Sequence, residues 1–104
     1  MDNEPLLSEF ADDEDMHELI GEFAVSLQET CKKLQRAIEE ANLEVVRRIG
    51  HQLKGAGGGY GFPLITECGA KLESAVAKEG SLSEFVRQSA TELITVCQRV
   101  QATP

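Results

Sequence analysis

The chain has 104 residues, enough for one small domain around one core. Hydrophobic residues make up 41% of it and aromatics only 5%, with no Trp, which excludes a disordered chain and leaves the core to aliphatic side chains. Ten basic residues stand against eighteen acidic ones, and this net charge of −8 argues against nucleic acid or an anionic membrane as a main partner.

The segment Pro5–Phe10 is expected to form a short helix across one end, within an N-terminal cap segment 1–11. The first long helix begins in the acidic run Asp12–Asp15, where carboxylates favour a helix N-terminus. Its apolar positions Met16, Leu19, Ile20, Phe23, Leu27, Cys31, Leu34, Ile38 and Ala41 keep the three-and-four spacing of an amphipathic helix. Asn42 ends it and caps the second helix, which starts near Leu43 and runs into the glycines. Pro63 opens the third helix, a position where proline is tolerated. Its buried face is Leu64, Ile65, Cys68, Gly69, Leu72 and Val76, and Gly80 stops it. Ser81 to Glu84 reads as a capping box for the fourth helix. That helix buries Leu82, Phe85, Val86, Leu93, Val96, Cys97 and Val100.

No segment shows strand alternation, and the connections are short. The expected fold is therefore all-α: an antiparallel up-down-up-down four-helix bundle over 12–101 with a short extra N-terminal helix, one domain over 1–104. No apolar run approaches the ~20 residues of a spanning helix, so no membrane partner is expected. The cysteines Cys31, Cys68 and Cys97 are odd in number and match no zinc spacing, which points to reduced core thiols in a cytoplasmic protein.

The most informative segment is His51-Gln52-Leu53-Lys54-Gly55, followed by glycines up to Gly61-Phe62. At about 100° per residue, Val46, Ile49, Leu53, Ala56 and Tyr60 form the core stripe of the second helix. His51 then lies ~180° from the centre of that stripe, among Arg47, Lys54 and Gly58, with Gly55 nearby. A lone helical histidine is ordinarily a plain core or surface residue. This one faces solvent amid cations and glycines, which suits an imidazole that takes up a phosphoryl group and passes it to another protein. Each helical glycine costs ~1 kcal/mol relative to Ala, so the run demands a reason. Packing or fraying accounts for Gly57 and Gly59. Gly55 and Gly58, on the outer face, leave room for a partner's active site.

Other motifs fail. Gly55-Ala56-Gly57 would open a dinucleotide loop, but Tyr60 stands where its last glycine belongs and no strand precedes it. Gly50 and Gly55 have the spacing of a phosphate-binding loop, but Ala56 replaces its lysine. His17 reads as a surface residue in the acidic first turn. The periodicity points no set of ligands inward, so no metal is expected on this chain.

His51-x-Leu53-Lys54-Gly55, then Tyr60-Gly61-Phe62, Leu64, Cys68 and Leu72-Glu73, together with Leu19-Ile20-x-x-Phe23 upstream, resembles the histidine-containing phosphotransfer (HPt) domains. The likeness runs from about Leu6 to the end of the last helix. Gly61-Phe62 and Glu73 look most like the version at the front of chemotaxis-type histidine kinases. That version often carries a second histidine where this chain has Ala70, so a relay through it is absent. The resemblance implies that His51 is phosphorylated on Nε2, that Lys54 neutralises the phosphoryl oxygens and that Gly55 admits the partner loop. It also implies that Glu73 accepts a hydrogen bond from Nδ1–H of His51; many members have Gln there.

These roles describe a phosphorelay carrier without an ATP site. Its partners would be response-regulator receiver domains and a hybrid or chemotaxis-type histidine kinase. No cofactor is expected on this chain; Mg2+ would sit on the receiver. Arg47, Arg48 and Gly58 are expected at the docking surface, and Lys32, Lys33 and Arg36 extend the basic set, which reads equally as ordinary solvated helix faces. Met1 and the compact ends point to a free-standing monomer. The alternatives are the phosphodonor domain of a chemotaxis-type kinase, and a helical adaptor whose histidine is never phosphorylated.

Overall fold

The structure, a computed structural model, describes residues 4–101; positions 1–3 and 102–104 of the expected domain lie outside the described residues. Four helices dominate it: α1 (Glu14–Glu39), α2 (Leu43–Gly59), α3 (Pro63–Glu79) and α4 (Glu84–Gln98). The closest helix pairs are α1 with α2, α2 with α3, α3 with α4 and α1 with α4, so the helices follow one another in chain order around a shared core. That core is mainly aliphatic, with Ile20, Leu27, Leu34, Val46, Ile65, Leu72, Val86 and Leu93 almost fully buried. An aromatic cluster closes one end. Phe23 of α1 stacks on Tyr60 at 4.2 Å between centroids and meets Phe62 at 5.9 Å, contacts worth about 0.5–1.5 kcal/mol each beyond area burial.

Helix ends follow local chemistry. Asp13 caps α1 by accepting from Asp15 N–H, and Asn42 caps α2 by accepting from Val45 N–H. At the end of α2, Gly61 N–H donates to Gly58 O and Phe62 N–H donates to Gly57 O at 2.7 Å. This is a Schellman closure, and Gly61 supplies its left-handed residue at φ +83°. The end of α1 closes in the same way, through Ala41 N–H to Ile38 O and Asn42 N–H to Ala37 O. There the left-handed residue is Ala41, at φ +55°.

Several expectations need correction. The segment Pro5–Phe10 is not a helix. Leu6–Leu7 forms a two-residue strand, β1, in parallel register with Val100–Gln101, β2, just beyond α4. Its backbone groups are bound at a distance instead of locally: Leu6 N–H donates to Arg99 O and Glu9 N–H to Gly61 O. The buried Ser8 hydroxyl donates to Tyr60 O at 2.6 Å. The segment therefore straps the chain ends to the α2–α3 turn, and a propensity reading cannot see such long-range pairing. Val100 belongs to this strand and not to α4. The cap of α4 is Ser83, which accepts from Val86 N–H, so the box does not start at Ser81. Leu19 and Phe85 are about half exposed, and Ala41 lies outside α1. Ala37, Ala90 and Ile94 take core places that the apolar spacing did not assign. His17 is partly covered and its Nε2 donates to Ala11 O at 2.6 Å, fixing the turn before α1.

The tightest packing is between α2 and α3. A Cβ placed on Gly69 would lie 2.6 Å from Lys54 N and 2.8 Å from Gly50 O; one on Gly50 would lie 3.1 Å from Glu73 N. One on Gly57 would lie 2.7 Å from Thr66 N and Oγ1. These glycines let the two backbones touch. Gly69→Ala should therefore cost about 2 kcal/mol despite the better helix propensity of Ala, because backbone atoms must move. Ala41→Gly, which relieves a left-handed Ala, should gain about 1 kcal/mol. Urea denaturation of both variants checks the pair, and a neutral Gly69→Ala would refute tight α2–α3 packing.

Candidate phosphoacceptor site

His51 sits in the middle of α2, with its side chain 65% exposed. The opposite face of the helix is anchored by the buried Val46, Ile49 and Leu53. The imidazole is exposed on the outer side of the helix, as the angular reading places it. It leans along the α2–α3 seam, and its Nδ1 lies 2.8 Å from Glu73 Oε2. Glu73 is carried by α3 one turn beyond Gly69, so the glycine contact that brings the helices together also sets this distance.

Glu73 is the least exposed of the three polar groups, with 23% of its side chain accessible. Its other oxygen, Oε1, lies 3.4 Å from Lys54 Nζ. Partial desolvation pushes its pKa up. The hydrogen bonds and charges of His51 and Lys54 together outweigh that, and the net direction is down from the usual 4.5. The carboxylate is thus ionised at neutral pH and accepts a proton bond from Nδ1–H. That arrangement fixes the neutral ring in the tautomer whose Nε2 carries the lone pair. Lys54 is half exposed and its contact with Glu73 is long, so its ammonium can swing towards an anion near Nε2.

The surroundings differ glycine by glycine. Around Gly55 an added Cβ would meet nothing within 4 Å, and at Gly58 it would make an ordinary 3.6 Å contact with Thr66 Oγ1. Both are exposed, beside His51 on the outer face. Gly57 is a packing residue, as its spacing suggests. Gly59 is neither frayed nor packed: it is helical, with open space around it. Arg47 is pulled back along the helix, with its Nη2 2.6 Å from Glu44 Oε1, which offsets part of its field. Arg48 is exposed on the α1 side, lining a shallow groove with Lys33 and Arg36. The structure thus brings His51, Lys54 and Glu73 together, with Gly55 and Gly58 alongside, and leaves Arg48 apart from them.

Sequence reasoning missed Thr66. Its hydroxyl donates to the Lys54 carbonyl at 3.0 Å, tying the backbone of the lysine to α3. A threonine two turns before Glu73 carries no signal until the interhelical distance is known. Gly50, weighed in the sequence only against a phosphate-binding loop, is a packing residue against Gly69 and Glu73; its only hint is that it precedes the histidine on the helix that Gly69 meets.

The ionised Glu73 has a pH signature. A carboxyl whose folded pKa is depressed contributes stability that is complete above its unfolded value and is lost as pH falls through the folded value. The stability of the native chain should exceed that of Glu73→Gln above about pH 4.5. The gap should close on further acidification. Denaturation midpoints between pH 3 and 6 measure it, and a gap independent of pH would mean that the charge of Glu73 is not what holds the pair.

The family model of the Hpt domain matches residues 18–103. No curated protein and no solved structure matches the chain. The match covers α1 from residue 18 onward, all of α2, α3 and α4, and the whole of the His51 cluster. The chain belongs to the Hpt domain family, the histidine phosphotransfer modules of phosphorelay signalling.

Proposed function

We propose that the chain is a phosphorelay carrier that accepts a phosphoryl group on Nε2 of His51 from a receiver-domain aspartate and returns it to another. The observation that carries this reading is the engagement of Nδ1 by Glu73, which leaves Nε2 as the nucleophilic nitrogen on an exposed ring. Nε2 attacks phosphorus in line, the N–P bond forms, and the P–O bond to the aspartate breaks through a loose transition state. The aspartate leaves as a carboxylate. The ring keeps its Nδ1 proton and becomes a phosphoimidazolium, whose positive charge faces ionised Glu73. Lys54 leaves its long contact to meet the phosphoryl oxygens. The receiver contributes Mg2+ and its own lysine.

Gly55 gives the incoming loop space that any Cβ would occupy. Arg48, with Lys33 and Arg36, offers a positive rim towards an acidic aspartate pocket. Arg47 is the weaker contributor because Glu44 already pairs with it. Connections of three or four residues leave no length for a crossover, which supports an up-down-up-down antiparallel bundle. Among the described residues no helix is long and apolar enough to cross a membrane. We read the chain as a cytoplasmic monomer without ATP chemistry of its own.

The deciding experiment offers phosphorylated receiver domains and reads intact mass. An acid-labile gain of one phosphate that is lost in His51→Gln is expected. Labelling only by a kinase catalytic domain with ATP would instead identify a kinase phosphodonor domain. No labelling from either source would leave the adaptor reading.

Gly55→Ala separates function from stability. It should raise stability by about 0.5–1 kcal/mol, as Ala replaces Gly in an open helix position. It should also slow transfer from receivers several-fold. A stabilised variant with unchanged transfer would remove the steric role of Gly55.

A further inference from the structure

Sixty-six positions separate Cys31 from Cys97 in the chain, yet the fold brings both side chains to the seam between α1 and α4. Both are largely buried, at 8% and 6% exposure. Both also line one open groove of about 230 Å3, together with Leu27, Gln28, Lys32 and Gln35. Neither takes part in the phosphotransfer chemistry, whose groups lie on α2 and α3. The even spread of three cysteines along the sequence gives no sign of this pairing.

We propose that Cys31 and Cys97 form a thiol-oxidation site, closed to an intramolecular disulfide by a low-molecular-weight disulfide that enters through the α1–α4 groove. Both sulfurs border the groove, and the thiolate of either can open the exchange. The Cys31 thiolate attacks one sulfur of the oxidant, the oxidant's S–S bond breaks, and the first small thiol departs. The Cys97 sulfur then attacks the Cys31 sulfur of the mixed disulfide and displaces the second small thiol. The two cysteine protons end on the two released thiols; the chain is oxidised by two electrons and the oxidant reduced by two. Cys68, on α3, does not border the groove; burial pushes its thiol up to about 11, and Glu92, 3.8 Å away, adds to the effect.

A bond between these positions would staple the longest helix to the last one and close a long loop, which is the kind of crosslink that most constrains an unfolded chain. The test incubates the full chain with oxidised glutathione and reads intact mass, a non-reducing peptide map and the thermal midpoint. The expected product has lost two hydrogens, retains no glutathione, and joins the Cys31 and Cys97 peptides. Its midpoint rises by roughly 10 °C and returns on reduction with dithiothreitol. Cys68→Ala should behave in the same way, while Cys31→Ala and Cys97→Ala should each fail to lose two hydrogens. An unchanged mass, a stable glutathione adduct on the native chain, or a crosslink that uses Cys68 would each overturn the proposal.

Discussion

The approach of α2 to α3 is the constraint on which the site depends. Helices ordinarily pack with 8–10 Å between axes, a distance set by the side chains at the contact. Here the contact is made by Gly50, Gly57 and Gly69, and an added Cβ at any of the three would fall within 3.1 Å of backbone on the facing side. The absence of side chains lets α3 bring a carboxylate to the ring of His51 directly, without a longer reach or a bridging water. Thr66 then pins the seam to the Lys54 carbonyl. Glycine's entropic cost in a helix is thus offset by a geometry that bulkier residues would forbid. The run of glycines in α2 has two uses that alternate along it: Gly57 faces the seam, and Gly55 faces outward.

The strap at the N-terminus works on the same part of the molecule from the other end. The α2–α3 turn carries Gly61 in a left-handed conformation, and Ser8 and Glu9 bind the backbone on either side of it. Phe23 and Phe62 pack beneath, with Tyr60 between the core and the rim. The turn that sets the start of α3, and so the register of Glu73 against His51, is therefore held by the strap and by α1. In a chain with few aromatics, four of the five gather at this turn, the Phe10 ring lying against Gly61. Aliphatic packing suffices along the helix lengths, and the larger rings sit where the chain must reverse.

What could be read from the sequence and what could not divide along physical lines. The four helices were legible because their apolar positions repeat with helical period, and the acidic run, Asn42, Pro63 and Gly80 mark ends by local chemistry. The outward tilt of His51 followed from angle alone. The identity of its partner did not. Glu73 came forward through resemblance, since no periodicity links residues on two helices. The packing roles of Thr66 and Gly50 were invisible for the same reason. The N-terminal strap was misread as a helix because its hydrogen bonds run to Arg99 and Gly61, far along the chain. Ala41 was placed in the core by spacing, but the Schellman closure bends the chain outward one residue earlier. Ser81 and Ser83 both offer a capping hydroxyl; only the observed Val86 contact chooses between them.

The electrostatics of the site follow from unequal exposure. Glu73 is mostly covered, whereas His51 and Lys54 are mostly open. The fixed charge is thus the anion on α3, and the two cationic or proton-bearing groups are the ones that can adjust. Before phosphorylation the carboxylate holds the Nδ1 proton and, more loosely, the ammonium. A phosphoryl group on Nε2 would add negative charge on the far side of the ring and positive charge within it. The first attracts Lys54 away from Glu73; the second strengthens the hydrogen bond that remains. Solvent screens the long Lys54–Glu73 contact, so releasing it costs little. The covered carboxylate has fewer alternatives in water and stays with the imidazole. A Gln at this position would keep the geometry but lose that response to charge, because a neutral amide cannot stabilise the phosphoimidazolium as an anion does. In the proposed carrier, the acid in place of the amide would therefore tilt the exchange towards holding the phosphoryl group on the histidine.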